Sequence, residues 1–199
     1  MESLYYTVEK QTTGIYKEKG SKFYSYLFPI INEIDVNPIL SKLKKEHPQA
    51  RHFCYAWKIG FEKGKHRIND DGEPSGTAGN PIFNQILSQK LSNVLIVVVR
   101  YFGGTLLGKS GLISAYKTSA KEAVKNAKKV LLEERIALRF DFDYHLLNEV
   151  MKILKKMKGE ICKQTINQKV QIGFDTTKKE WEIYKEALSS LDIKINITV

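Results

Sequence analysis

Six consecutive apolar residues, nearly all β-branched, run from Val94 to Val99 and open the segment VLIVVVRYFGGTLLGKSG, which ends at Gly111. The run fits a buried strand and is much too short to span a bilayer. Arg100 and the aromatic pair Tyr101-Phe102 follow, then Gly103-Gly104, where the backbone turns freely or approaches a ligand closely. From Leu112 the period becomes helical, with Ile113, Tyr116, Ala120, Ala123, Val124 and Ala127 at three- and four-residue steps. A buried strand, a glycine turn and a helix start are the parts of an anion-binding site, because a helix N-terminus offers free N–H groups and the positive end of the dipole.

Gly103 to Ser110 also fits GxxxxGK[ST], the phosphate loop of nucleotide-hydrolysing proteins, with Lys109 and Ser110 in the signature positions. Such a protein needs an acidic Mg²⁺ partner at the end of a second apolar strand. The best placed acid, Asp141 in IALRFDFD, has Arg139 inside its run. A nucleotide-binding or phosphoester-acting enzyme using the GGTLLGKS turn is therefore the second reading.

A longer pattern points elsewhere. VVVRYFGGTLLG is preceded some twenty residues earlier by DDGEPSGTAG, Asp70 to Gly79. Arg51-His52, Cys54 and Ala56 stand ahead of that loop and Pro81 after it, while Gly111-Leu112 and Ala115-Tyr116 fall in the helix. Together these residues resemble the IMPACT/YigZ family, strongly over about 14–127 and weakly beyond. In that frame Gly103, Gly104 and Gly108 are family residues, so only Lys109 and Ser110 are needed to complete the phosphate-loop pattern. The chain departs from relatives at Leu106 or Leu107, where they carry a basic residue, and at Ser114, where they carry arginine.

The resemblance implies an N-terminal domain with the fold shared by a small-subunit ribosomal protein and domain IV of elongation factor G. It implies a ferredoxin-like domain after it, and a link to translational regulation. In eukaryotic relatives that link includes control of a starvation-activated initiation-factor kinase, carried with an additional N-terminal interaction domain. The short bacterial-type form is the match expected here, so the kinase role is not transferred.

Charge agrees with an RNA or ribosome partner. The 199 residues carry a net charge of +10, and residues 1–135 hold 21 Lys and Arg against 13 Asp and Glu. Such an excess suits a polyanion, although a lysine-rich solvated surface gives the same count. Cys54 and Cys162 match neither a zinc nor a CxxC pattern, and reduced thiols fit a cytoplasmic protein. Residues 1–15 contain no signal-peptide h-region.

Strands are expected over 5–8, 13–17, 22–31, 52–59, 66–69 and 94–99, and helices over 33–46, 81–91 and from Leu112 to near Lys129. Beyond, the order is strand, helix, strand, strand, helix, strand, the ferredoxin-like plan. The fold class is α+β: a two-layer α/β sandwich over 1–133 and a βαββαβ domain over 134–199.

Three carboxylates, Asp70, Asp71 and Glu73, crowd the glycine-rich loop. They suit a metal site or an acid–base pair, but turn chemistry explains them better, since Asp bonds nearby backbone N–H groups. Arg100 either pairs with that loop or reaches a phosphate with its bidentate fork. Tyr101 and Phe102 are expected mainly in the core. Arg51, His52, Lys58, Lys63, Lys65, His66 and Arg67 cluster around a hairpin with Tyr55 and Trp57 among them. That is either a basic face with aromatic platforms or a solvated hairpin over a core. The residues expected to hold anions or nucleic acid are Arg51, His52, Lys65, Arg67, Arg100, Gly103, Gly104 and Lys109. No catalytic residue, metal site or cofactor is expected; the partner is RNA or the ribosome, or alternatively a protein, and no membrane.

Overall fold

The apolar run is the central strand of a five-stranded antiparallel sheet. In the computed structural model, which describes residues 4–61 and 64–198, β2 (Thr12–Glu18), β3 (Ser21–Pro29), β4 (His52–Ile59), β5 (Lys65–Asn69) and β6 (Val94–Tyr101) stand in the order β2-β3-β6-β4-β5. Successive residues of a strand face opposite ways. Val94, Ile96 and Val98 pack in one core with α2 (Gly79–Ser88) and α3 (Gly108–Lys125). Leu95, Val97 and Val99 pack in another with Val36 and Leu43 of α1 (Val36–Glu46). Burial on both faces is why β6 lacks polar alternation.

A two-layer sandwich would leave one sheet face to solvent. Here α1 covers part of that face, so the sheet lies between helices on both sides. The long helix also differs from expectation. It begins at Gly108 and ends at Lys125, and its buried side is Leu112, Ala115, Tyr116, Ser119, Ala120, Ala123 and Val124, with Ile113 exposed. Residues Lys129–Leu132 form β7, antiparallel to β1 (Tyr5–Val8). That strand depends on a partner more than a hundred residues away, which local periodicity does not register.

The chain divides into two units, the first closing at Leu132 and the second opening at Glu133. The second is built from β8 (Arg135–Phe142), α4 (Leu147–Leu154), β9 (Gly159–Ile166), β10 (Val170–Thr177), α5 (Lys178–Ser189) and β11 (Lys194–Thr198). Its antiparallel sheet runs β11-β8-β10-β9. Alternate residues Ile136, Leu138, Phe140 and Phe142 of β8 join Val150, Leu154, Trp181 and Leu188 of the helices in one core. Among the described residues no helix is long and apolar enough to cross a membrane.

Candidate functional site

The acidic loop is held shut by its own carboxylates. Asp70 Oδ1 accepts from the Ala78 and Gly79 N–H groups (3.0 and 2.8 Å) and Oδ2 from the Gly76 N–H (2.9 Å). Burial pushes the Asp70 carboxyl up, but the three backbone bonds outweigh it and hold the group below its ordinary value. Asp71 sits at φ +38°. Its Oδ2 accepts from the Phe53 N–H (2.7 Å), and its carbonyl accepts from His52 Nδ1 (2.8 Å). The loop is thereby fastened at one end to the start of α2 and at the other to β4.

Glu73 lies deeper. Its Oε1 accepts from Arg100 Nη1 at 2.6 Å and from the Tyr116 hydroxyl at 2.7 Å, with side chains only 4% (Glu73) and 7% (Arg100) exposed. The Cys54 thiol donates to the Asp70 carbonyl (3.0 Å), and its sulfur lies 3.3 Å from the Tyr116 oxygen. Burial drives both the Cys54 thiol and the Tyr116 phenol well above their ordinary values. A neutral buried thiol is a poor nucleophile. All three loop carboxylates are thus bonded to protein donors, and Arg100 is held by Glu73 with its Nε buried and unpaired.

The glycine turn follows directly. A Cβ on Gly103 would stand 1.9 Å from the Gly20 carbonyl carbon, so this turn and the β2–β3 turn meet backbone to backbone. The Gly103 N–H donates to Ser21 Oγ at 3.1 Å. Gly104 and Gly108 adopt φ +86° and +70° with open space beside them. Leu107 stands at the cap of α3 and supplies no side-chain acceptor, so the first N–H groups of the helix have no side-chain cap. Lys19, Lys22, Arg51 and Lys109 are exposed, and none of their side chains forms an ion pair or hydrogen bond among the described residues.

The register divides the residues expected to act together. His52 lies opposite Arg100, so Arg51, His52, Arg100, Gly103, Gly104 and Lys109 gather at one end of the sheet. Arg67 is opposite Trp57 and Lys65 opposite Ile59, roughly 17 and 23 Å farther along β4 at strand rise. Lys65 also pairs with Glu33 (3.5 Å). Lys58 is buried: its Nζ donates to the Gly60 and Phe61 carbonyls (3.1 and 3.0 Å) and stands 4.2 Å from the centroid of the Tyr5 ring, and burial lowers its pKa. Tyr55 and Trp57 belong to the core under α1 and offer no platform. His66 stacks on Phe83 (4.8 Å), and Lys63 lies outside the described residues. Phe102, expected in the core, is 57% exposed. Lys19 and Lys22 escaped the sequence reading, although the alternation Lys22, Tyr24, Tyr26 within a strand signals a shared face.

The acid best placed in sequence for a nucleotide loop is already paired. Asp141 lies on β8 in the second unit, where it pairs with Arg139 (3.3 Å). Both neighbours of β6 are antiparallel to it. No cluster of three or more His, Cys, Asp or Glu suited to a metal occurs among the described residues.

Fold and site together define an α+β protein with a strand–glycine–helix turn braced by a buried acidic loop. The sequence profile of the Impact N-terminal domain matches residues 19–124, which contain the whole of that arrangement, and the chain belongs to the IMPACT family. An IMPACT family member of Haemophilus influenzae is 33% identical over 187 residues, covering 92% of this chain and 91% of the relative. The family member YvyE of Bacillus subtilis is 30% identical, covering 94% and 86%. A crystal structure of a hypothetical protein superposes with a TM-score of 0.69 over 98% of this chain and 97% of that one, at 24% identity.

Proposed function

We propose that this IMPACT-family protein binds nucleic acid or the ribosome in the regulation of translation and does so without catalysing a reaction. The observation that carries the reading is a set of exposed, unpaired cations at one end of the sheet, Lys19, Lys22 and Arg51, together with Lys109 in the first turn of a helix that lacks a side-chain cap. Cations without carboxylate partners release counterions when they meet phosphates, and exposed helix N–H groups add neutral donors. Gly104, with open space beside it, lets a phosphate approach the backbone, while Gly103 packs against the β2–β3 turn and His52 and Arg100 brace the adjoining acidic loop. Lys65 and Arg67 form a separate contact on β5.

The second unit is ferredoxin-like, supported by its βαββαβ order and the sheet order β11-β8-β10-β9. The first is related to the ribosomal-protein and elongation-factor fold through the family resemblance. Both folds suit a protein that works on the ribosome.

The test is fluorescence anisotropy of a labelled structured RNA at two salt concentrations, with and without Mg·ATP. Binding that falls steeply with salt and ignores ATP is expected. Arg51→Ala and Lys109→Ala should each lower the salt slope by about 1, whereas Lys65→Ala, already paired with Glu33, should lower it less. Absence of binding at low salt overturns the reading, and competition by ATP restores the nucleotide-loop alternative.

A further inference from the structure

On the α1 side of the first unit, the sheet around β2, β3 and the end of β6 is incompletely covered. Directly opposed residues share a face, and the register sets Ile15 opposite Tyr24, Lys17 opposite Lys22, and Lys22 opposite Tyr101. Tyr26 follows Tyr24 by two residues and takes the same side. These three tyrosines are half-buried, Ile15 is 55% exposed, and Lys17 and Lys22 are exposed.

His47, the residue after α1, fastens the group. Its Nε2 shares a hydrogen bond with the Tyr26 hydroxyl (2.6 Å) and its Nδ1 with the Tyr101 hydroxyl (2.8 Å). The rings of Tyr24 and His47 are 5.6 Å apart, those of Tyr24 and Tyr101 5.7 Å, and those of His47 and Tyr101 5.8 Å. Four rings therefore form one pre-ordered patch that stays partly open to solvent. Its flanking cations, Lys17 and Lys22, have no partner among the described residues. The carboxylate that acts on Tyr26 is Glu46, and Lys42 offsets its charge at 3.8 Å.

Rings beside unpaired ammonium groups fit one chemistry well: bases stack on the rings while the phosphates between them meet the lysines. A duplex keeps its bases stacked inside and presents only phosphates and groove edges. We propose that the Tyr24, Tyr26, Tyr101 and His47 face, with Lys17 and Lys22, binds a single-stranded stretch of nucleic acid through its unpaired bases. This rests on the nucleic-acid reading above and narrows it to unpaired strand. Tyr101 leads through Phe102 into Gly103, so a strand leaving the platform reaches the glycine turn within a few residues.

Three labelled probes test it by anisotropy at low salt: an oligouridylate of about twelve nucleotides, an abasic oligomer of the same length, and a blunt duplex. The single strand should bind best. Tyr24→Leu should weaken it about tenfold while leaving abasic binding and the salt slope unchanged. Tyr24→Phe, which keeps the ring, should bind like the parent, and thermal melts confirm that both variants fold. Equal binding of all three probes overturns the platform while the nucleic-acid reading survives, as does a Tyr24→Leu variant that binds like the parent. Failure of all three probes to bind overturns both readings and leaves the tyrosine face to a protein partner.

Discussion

Replacing Glu73 with alanine removes the acceptor for both Arg100 Nη1 and the Tyr116 hydroxyl. Arginine stays charged at any accessible pH, so Glu73→Ala leaves a guanidinium whose side chain is 7% exposed with no carboxylate and an Nε already unpaired. Breaking a buried pair from one side costs about 3–5 kcal/mol, a large part of the roughly 5–15 kcal/mol available to a domain. Arg100→Met strands the carboxylate and should cost a similar amount. The double variant Glu73→Ala with Arg100→Met carries no buried charge. Its residual cost is the orphaned Tyr116 hydroxyl, about 1–3 kcal/mol. It should therefore be more stable than either single variant, and short of their sum by at least about 2 kcal/mol.

Urea unfolding followed by tryptophan fluorescence reads this, because Trp57 and Trp181 lie in the cores of different units. A Trp181→Phe background leaves Trp57 as the reporter of the first unit. If the single losses add, or if Glu73→Ala costs under about 1 kcal/mol, the pair is not the electrostatic brace described above.

Asp70 gives a pH signature. Its folded pKa is depressed, so its contribution is complete above the ordinary carboxylate range and is lost as pH falls through the lower folded value. Asp70→Asn should flatten that part of the acid-unfolding curve of the first unit; an unchanged acid limb would count against the three-bond clasp. Gly103→Ala forces a Cβ onto the Gly20 backbone and should lower the melting temperature far more than Gly104→Ala, which meets only left-handed strain of about 1 kcal/mol; comparable losses would refute the close approach. With an aromatic disulfide reagent, exposed Cys162 should react at once and Cys54 only on unfolding; two fast equivalents would contradict the buried thiol.

The sequence by itself determined the elements whose evidence is local. The unbroken run Val94–Val99 could satisfy its burial only as an interior strand, and Asp70 with Gly72, Gly76 and Gly79 spelled a tight loop. The two family motifs showed which family the chain belongs to, because they extend over many positions in a fixed order. Tertiary structure decided what depends on residues far apart in the chain. Lys129–Leu132 became a strand because β1 offers it hydrogen bonds, and α1 filled a sheet face that composition left open. Lys58 went inside and Lys22 outside, though both are lysines beside aromatic residues, because the register gave Lys58 the Gly60 and Phe61 carbonyls and gave Lys22 only solvent. The basic set around β4 and β5 looked continuous in sequence, yet seven residues of strand rise separate its two ends. Charge counts establish how many cations a chain carries; which of them stand together follows from pairing, and pairing is settled by contacts across the whole fold.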